Sequence, residues 1–242
     1  MARALAQGWG EPVLCSDNGS GRARALVEEV GGMALDTNAA VAEQADLVVL
    51  CHKPAQLREV ADDLVGKVSA VASVLGGTSL WTLQDAYPGI QVFRLMPNTP
   101  VAVRKGIVLY SPADAVDPVL EAQVISLFDR LGAVVRVEER LMETAAAVMS
   151  VGPAYVALLA EAQVDAAVRR GLTAGLASRL VVETMSGTAA LLTERDYDTL
   201  AIRREVTSPG GSTARGVAAL EGAGVRTAFQ EAMDAVVVGS SN

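Results

Sequence analysis

Aromatic side chains are scarce: Phe, Trp and Tyr make up only 4% of the 242 residues. Any core must therefore be filled by Ala, Val and Leu, which suit tightly packed helices and buried parallel strands. There is a single histidine, His52. With no acidic or Cys partner at ligand spacing it gives no metal centre, and no Ser-His-Asp or Cys-His nucleophile can be assembled around it. The two cysteines, Cys15 and Cys51, each close an apolar strand-like run and read as buried free thiols in a reducing compartment, not as a disulfide framework. Cations never exceed two in a row, and net charge is −8 with a pI near 4.8. That balance argues against a nucleic-acid partner. The start shows no charged segment leading into an apolar run, so a cytoplasmic protein is expected. Long hydrophobic runs are missing too: the most membrane-like stretch, residues 145–160, is short, carries Ser150, Gly152 and Pro153, and ends at Glu161. It reads as a buried core helix with a break at its start.

What is present is alternation. Strand patterns at 12–16, 46–51, 68–75, 90–95, 107–110 and 133–137 are separated by helical patterns at 21–30, 38–45, 54–65 and 118–132. Pro54 and Pro118 stand where a first-turn proline belongs. The run "DLVVLC" is continuously apolar, as in a strand covered on both faces. The pattern predicts an α/β domain over residues 1–138 with a doubly wound, mostly parallel sheet. From about residue 139 the strand signal stops, and helical patterns at 153–172, 174–194, 211–224 and 225–238 form an all-helical second domain, 139–242. Its helices are apolar on more than one face, so a homodimer through this half is expected. The tail "GSSN" is expected to fray.

Four stretches carry candidate chemistry. In "VTSPGGSTARGVAALE" (residues 206–221), Ser208-Pro209-Gly210-Gly211 breaks a helix and Ser212 and Thr213 start the next as caps. Unpaired N–H groups and hydroxyls at a positive helix end would hold a carboxylate or phosphate; an ordinary Gly-rich corner is the plainer alternative. "RLMPNTPVAVRKG" (94–106) puts Asn98-Thr99 between two prolines after a strand, at the edge where open parallel sheets bind ligands, or simply forms a turn. Lys53, in "VVLCHKPAQL", lies on the same edge. His52 beside it reads as a surface or supporting residue. In "SVLGGTSL", Gly76-Gly77 would let a flat ligand approach closely.

Together "CHKP", "LMPNTP", "GPAYV…EA…DA…GL" and "SPGGSTARGVAALE" resemble the pyrroline-5-carboxylate reductase family across essentially the whole chain. The resemblance implies a Rossmann-like NAD(P)-binding domain, then a helical dimerisation domain, with active sites completed across the dimer. It implies reduction of 1-pyrroline-5-carboxylate to L-proline by hydride from NADPH or NADH. By resemblance Asn38, Lys53, Pro54, Leu75, Gly76 and Gly77 line the cofactor cleft. Ser208, Gly210, Gly211, Ser212 and Thr213 hold the substrate, with Thr213 as the catalytic group near the ring nitrogen. Asp17 would suit a ribose 2′-OH, whereas Arg22 or Arg24 could meet a 2′-phosphate.

This chain departs from the family pattern at Val151, where a Ser is usual, and at Arg104-Lys105, which makes "VRKG" more basic and opens the possibility of an altered substrate. Family members begin with a strand and a glycine-rich loop close to G-x-G-x-M-A, and Met1-Ala2-Arg3-Ala4-Leu5 matches the residues just after that loop's last glycine. The expectation is a Rossmann-like domain lacking its first strand, a sequence truncated at an internal Met, and weak NAD(P)H binding by the chain as given. A non-catalytic paralogue and a related imine or β-hydroxyacid-type dehydrogenase remain as alternatives.

Overall fold

A computed structural model describes residues 1–239, so residues 240–242 of the tail expected to fray lie outside it. The chain divides into two compact units, residues 1–151 and the part from Gly152 onward.

The first unit contains α1 (Ala2–Trp9), β1 (Val13–Cys15), α2 (Arg22–Val30), β2 (Gly32–Ala34), α3 (Asn38–Ala42), β3 (Leu47–Leu50), α4 (Leu57–Leu64), β4 (Ala70–Ser73), α5 (Leu80–Ala86), β5 (Gln91–Pro97), β6 (Gly106–Ser111), α6 (Pro118–Asp129), β7 (Gly132–Arg136) and α7 (Met142–Met149). Five strands form one sheet in the order β3-β4-β5-β6-β7, and β1 pairs with β2 in a separate parallel ribbon. All five-strand pairings are parallel except β5 with β6. The exception follows from chain length: residues 98–105 are too few for a crossover helix, so the chain must reverse.

The pleat of β4 shows why both faces are covered. Ala70 and Ala72 join a core with Leu5 of α1 and Val124 and Phe128 of α6, while Val71 joins another with Leu57, Ala61 and Leu64 of α4 and Leu83 of α5. Side chains alternate between faces at period 2, and each face meets its own helices. Side-chain caps start several of these helices: Thr37 accepts from the Ala40 N–H, Ser79 from Thr82, and Asp117 from Val119 and Leu120. All six strand patterns are found. The sequence pattern does not reveal β2, whose "GMA" has little strand signal, or the short helix α5. Both cysteines are unpaired: Cys15 is half-buried, and Cys51 is exposed as a residue although burial around its thiol pushes the pKa up to about 11.

Helix α1 is held mainly at its C-terminal end. Gly10 caps it in the left-handed conformation. Arg104 donates from Nε to the Gly8 carbonyl at 2.6 Å, and Arg130 donates from Nη2 to the Trp9 carbonyl at 3.3 Å. Two cations thus sit where the helix dipole is negative. Trp9 adds an edge-to-face contact with Phe128 and a hydrogen bond to the Leu127 carbonyl.

The second unit contains α8 (Gly152–Val168), α9 (Ala174–Glu194), α10 (Thr199–Glu205), α11 (Ser212–Gly222) and α12 (Val225–Gly239). Thr173 and Asp198 cap α9 and α10. Tyr155 of α8 meets Phe229 of α12 edge to face, and Glu221 pairs with Arg226.

The break expected at the start of the 145–160 helix falls at Ser150-Val151, between α7 and α8, but α8 has no buried residue where a core helix was expected. Pro153 has no N–H to donate to the Met149 carbonyl, so the ladder breaks there. Val156, Leu158 and Leu159 are exposed, and by length and hydropathy the run 139–168 could also cross a membrane. The compact units part after Val151, because Met142, Ala146 and Met149 of α7 pack against Leu109 of β6.

Gly8 reports how closely α1 approaches the segment after β5. A Cβ there would lie 2.2 Å from the Val101 carbonyl oxygen and 2.6 Å from Leu131 Cδ2. Gly8→Ala is expected to destabilise the protein by about 1–3 kcal/mol, lowering Tm by roughly 2–10 °C in thermal denaturation at fixed protein concentration.

Candidate functional site

The residues singled out in the first unit gather at the carboxyl ends of parallel strands, where an open sheet binds ligands. Asp17 follows β1. Its Oδ1 accepts from the Gly19 N–H and its Oδ2 from the Ala23 N–H, both at 2.7 Å. The carboxylate closes the loop into α2, while Arg22 and Arg24 on that helix are exposed. Asn38 opens α3; it takes the Ser16 hydroxyl on Oδ1 at 2.8 Å and donates to Asp63 Oδ2 at 2.9 Å. This bridge links the end of β1 to α4, across two sheets that share no ladder.

Lys53 and Pro54 follow β3 and are exposed, at the head of a 3₁₀ turn whose Gln56 side chain accepts from the Lys53 N–H. His52 turns Nδ1 to the Lys53 carbonyl at 2.9 Å, a local backbone contact. Leu75, Gly76 and Gly77 follow β4. Leu75 is buried, whereas nothing lies within 4 Å of where a Cβ of Gly76 or Gly77 would stand.

In the second unit the segment 208–213 is a tight corner. The Gly211 N–H bonds the Ser208 carbonyl, and a Cβ on Gly211 would come within 2.4 Å of Ser208 Oγ. Gly210 takes φ +70, and the Arg215 guanidinium donates to its carbonyl at 2.6 Å. The cap is Gly211, not Ser212 or Thr213 as expected, because Gly211 already has the extended backbone a cap needs. Ser212 and Thr213 therefore fall inside the first turn. Their side chains are exposed and make no hydrogen bond among the described residues, and the first-turn amides have no intrahelical acceptor. The result is a set of open donors at a positive helix end, suited to a small carboxylate.

Residues 139–242 match the family described as pyrroline-5-carboxylate reductase dimerisation, and residues 1–75 match NADP oxidoreductase, coenzyme F420-dependent. A pyrroline-5-carboxylate reductase of Synechocystis is 38% identical over 200 residues, spanning 82% of this chain and 75% of that protein. The chain belongs to the pyrroline-5-carboxylate reductase family. Solved structures agree: the Streptococcus pyogenes 1-pyrroline-5-carboxylate reductase matches with a TM-score of 0.88 at 25% identity, covering 99% of this chain and 94% of that one. The Plasmodium falciparum pyrroline carboxylate reductase, solved with NADP bound, gives 0.85 at 26% identity over 98% and 92%.

Against this family the unusual Arg104 has a structural explanation, since it caps α1. Asn98 of "MPNTP" is likewise engaged: Oδ1 accepts from the Ile107 N–H at 2.9 Å and Nδ2 donates to the Met149 carbonyl at 3.1 Å. It satisfies the carbonyl that Pro153 leaves without a donor. No contact among the described residues explains Val151. Sequence reasoning also missed Arg94, only 3% exposed, whose guanidinium pairs with Glu139 and Glu143. The available signal was a lone charge inside the apolar run "VFRLMP".

The Ala23 amide, followed by those of Gly19 and Ser20 and the Ser20 hydroxyl, holds the Asp17 carboxyl below its ordinary value. A carboxyl depressed in the folded state stabilises the fold above its unfolded pKa of about 4, and that contribution is lost as pH falls through the lowered value. Asp17→Asn is expected to flatten the acid limb of a stability–pH profile measured by denaturant unfolding, leaving the slope above about pH 5 unchanged.

Proposed function

We propose that the chain catalyses the NAD(P)H-dependent reduction of 1-pyrroline-5-carboxylate to L-proline, the last step of proline biosynthesis. Family membership supports this reading, and the observation that carries it is the corner at 208–213, with open amides and a free Thr213 hydroxyl together at the start of α11.

The substrate is a small anion with one electrophilic C=N carbon. Ser208, Gly210, Gly211 and Ser212 would receive its carboxylate, with the first-turn amides of α11 neutralising the charge. Thr213, whose hydroxyl both donates and accepts, would hold the ring nitrogen. Nothing in this assignment needs a histidine or a paired carboxylate, because a protonated imine is already activated and the protein's task is orientation.

For the cofactor, the open space beside Gly76 and Gly77 fits the approach of a flat ring. Lys53 and Pro54 would flank it, with Asn38 and Asp17 toward the ribose end and Arg22 or Arg24 available to a 2′-phosphate. When bound, NAD(P)H supplies the hydride; the match to an NADP oxidoreductase family favours NADPH.

The exposed apolar residues of α8 and α9, among them Leu158, Leu176 and Leu180, support a homodimer through the C-terminal helices. Two unpaired cysteines suit the cytoplasm.

The test is reduction of pyrroline-5-carboxylate by NADPH with the purified protein, followed through nicotinamide absorbance. Thr213→Ala is expected to lower kcat by about tenfold to a hundredfold, the cost of one lost hydrogen bond to a polar reacting group, with KM for NADPH within about twofold. Unchanged turnover in this variant would remove Thr213 from its role, and activity on other cyclic imines alone would replace the substrate.

A further inference from the structure

A guanidinium cannot be left unpaired in a sheet interior, so Arg94 must recruit carboxylates. It lies on β5 directly beside Ser73 of β4 in the ladder register. Nη1 bonds Glu139 Oε1, and Nη2 bonds Glu143 Oε1 at 2.7 Å. The same Glu139 oxygen accepts from the Leu80 N–H at 2.9 Å. Leu80 is the first residue of α5, whose N–H has no acceptor within the helix.

These bonds bracket one short segment. Before it, the Ser73 hydroxyl accepts from the Leu75 N–H and the Val74 N–H bonds the Leu50 carbonyl of β3. After it, Ser79 caps α5 and Glu139 holds Leu80. Between the two anchors lie Gly76 and Gly77, the latter at φ +68, with nothing within 4 Å of where a Cβ of either would stand. The turn is free above and fixed at both ends.

We infer that Glu139, itself held in place by buried Arg94, is a positioning residue that sets the Leu75–Gly76–Gly77 turn for the nicotinamide cofactor through the Leu80 amide. The inference rests on the reading that this turn lines the cofactor cleft. It separates the two carboxylates by task. Glu143 shares the Arg94 charge but makes no bond to α5, so it neutralises without positioning.

The experiment measures the NADPH dissociation constant by direct fluorescence titration without substrate, kcat and both KM values, and hydrogen exchange at the Leu80 amide. Glu139→Ala is expected to speed exchange at Leu80, weaken NADPH binding by about tenfold, the worth of one hydrogen bond to a charged group, and leave KM for pyrroline-5-carboxylate within about twofold. Glu139→Gln keeps an oxygen for Leu80 and should recover most of the affinity. Glu143→Ala, which loosens the same arginine, should leave NADPH affinity unchanged. Leu80→Pro tests the link from the other side, even should Glu139→Ala fail to fold. Proline is tolerated at the first helical position after the extended Ser79, so it removes the N–H, together with part of a buried side chain, and leaves the ion pairs standing; NADPH binding should weaken as in Glu139→Ala, whereas Leu80→Ala, which truncates the side chain but keeps the N–H, should not weaken it. Equal NADPH affinity in wild type, Glu139→Ala and Leu80→Pro, or equal losses in Glu139→Ala and Glu143→Ala, would overturn the inference and leave the cofactor reading intact. A wild type that binds no NADPH overturns the cofactor reading and this inference with it.

Discussion

Burying one guanidinium in the middle of a sheet organises the ligand edge of the first unit. Arg94 is removed from water on β5, and the desolvation of that charge is tolerable only with carboxylates at hand. Both come from residues after β7, Glu139 and Glu143, so the segment leading into α7 must fold back over the sheet. That placement brings the Met142 and Met149 side chains onto Leu109. It also puts the Met149 carbonyl within reach of Asn98 at the end of the same strand. One strand therefore grips α7 at both ends, by charge at its start and by an amide at its finish. Packing alone would allow α7 to slide; two directional contacts at opposite ends of the helix do not.

The other face of the edge depends on α1. Its C-terminal carbonyls are taken by Arg104 and Arg130, its indole is pinned on Phe128, and Gly8 admits the Val101 backbone at a distance no side chain would allow. The Arg104 contact accounts for one of the two cations of "VRKG" without any appeal to substrate. These contacts also leave the N-terminal end of α1 as the positive pole facing away from its anchors.

How much of this is legible in the sequence depends on the range of each interaction. The six strands are legible because alternation and continuous apolar runs are local signals, as is the switch to helices near residue 139. β2 is not, since a three-residue strand of Gly, Met and Ala carries no pattern and forms only because β1 offers it a parallel edge. The reversal between β5 and β6 is implicit in the short connection that joins them. Lys53, Gly76 and Gly77 can be placed on an edge from strand ends alone. What Asn98 and Asp17 do cannot: a polar side chain in a turn looks the same whether it faces a ligand or a backbone amide, and both prove to be engaged with backbone groups. The Arg94 cluster joins residues 45 and 49 positions apart, beyond any periodicity.

The two units differ in how they treat polar groups, and the difference matches the chemistry assigned to each. In the first unit several polar side chains at the edge are spent on fixing structure: Asp17 closes a loop, Asn38 ties Ser16 after β1 to Asp63 on α4, Asn98 completes a broken helix ladder and Glu139 holds the start of α5. What remains open, beside the exposed Lys53, Arg22 and Arg24, is bare glycine surface, which can accept a flat ring. In the second unit the corner at 208–213 reverses the pattern. There the backbone is set by Gly210 and Gly211, with Arg215 on the Gly210 carbonyl, and the side chains of Ser212 and Thr213 are left unspent beside unpaired amides. A hydride donor needs to be positioned by shape, whereas an imino acid needs donors for its carboxylate and a partner for its nitrogen. On the proposed reading, with one histidine in the chain and no need for a strong base, orientation would carry the reaction, and the burden would fall on backbone geometry at the two glycine pairs.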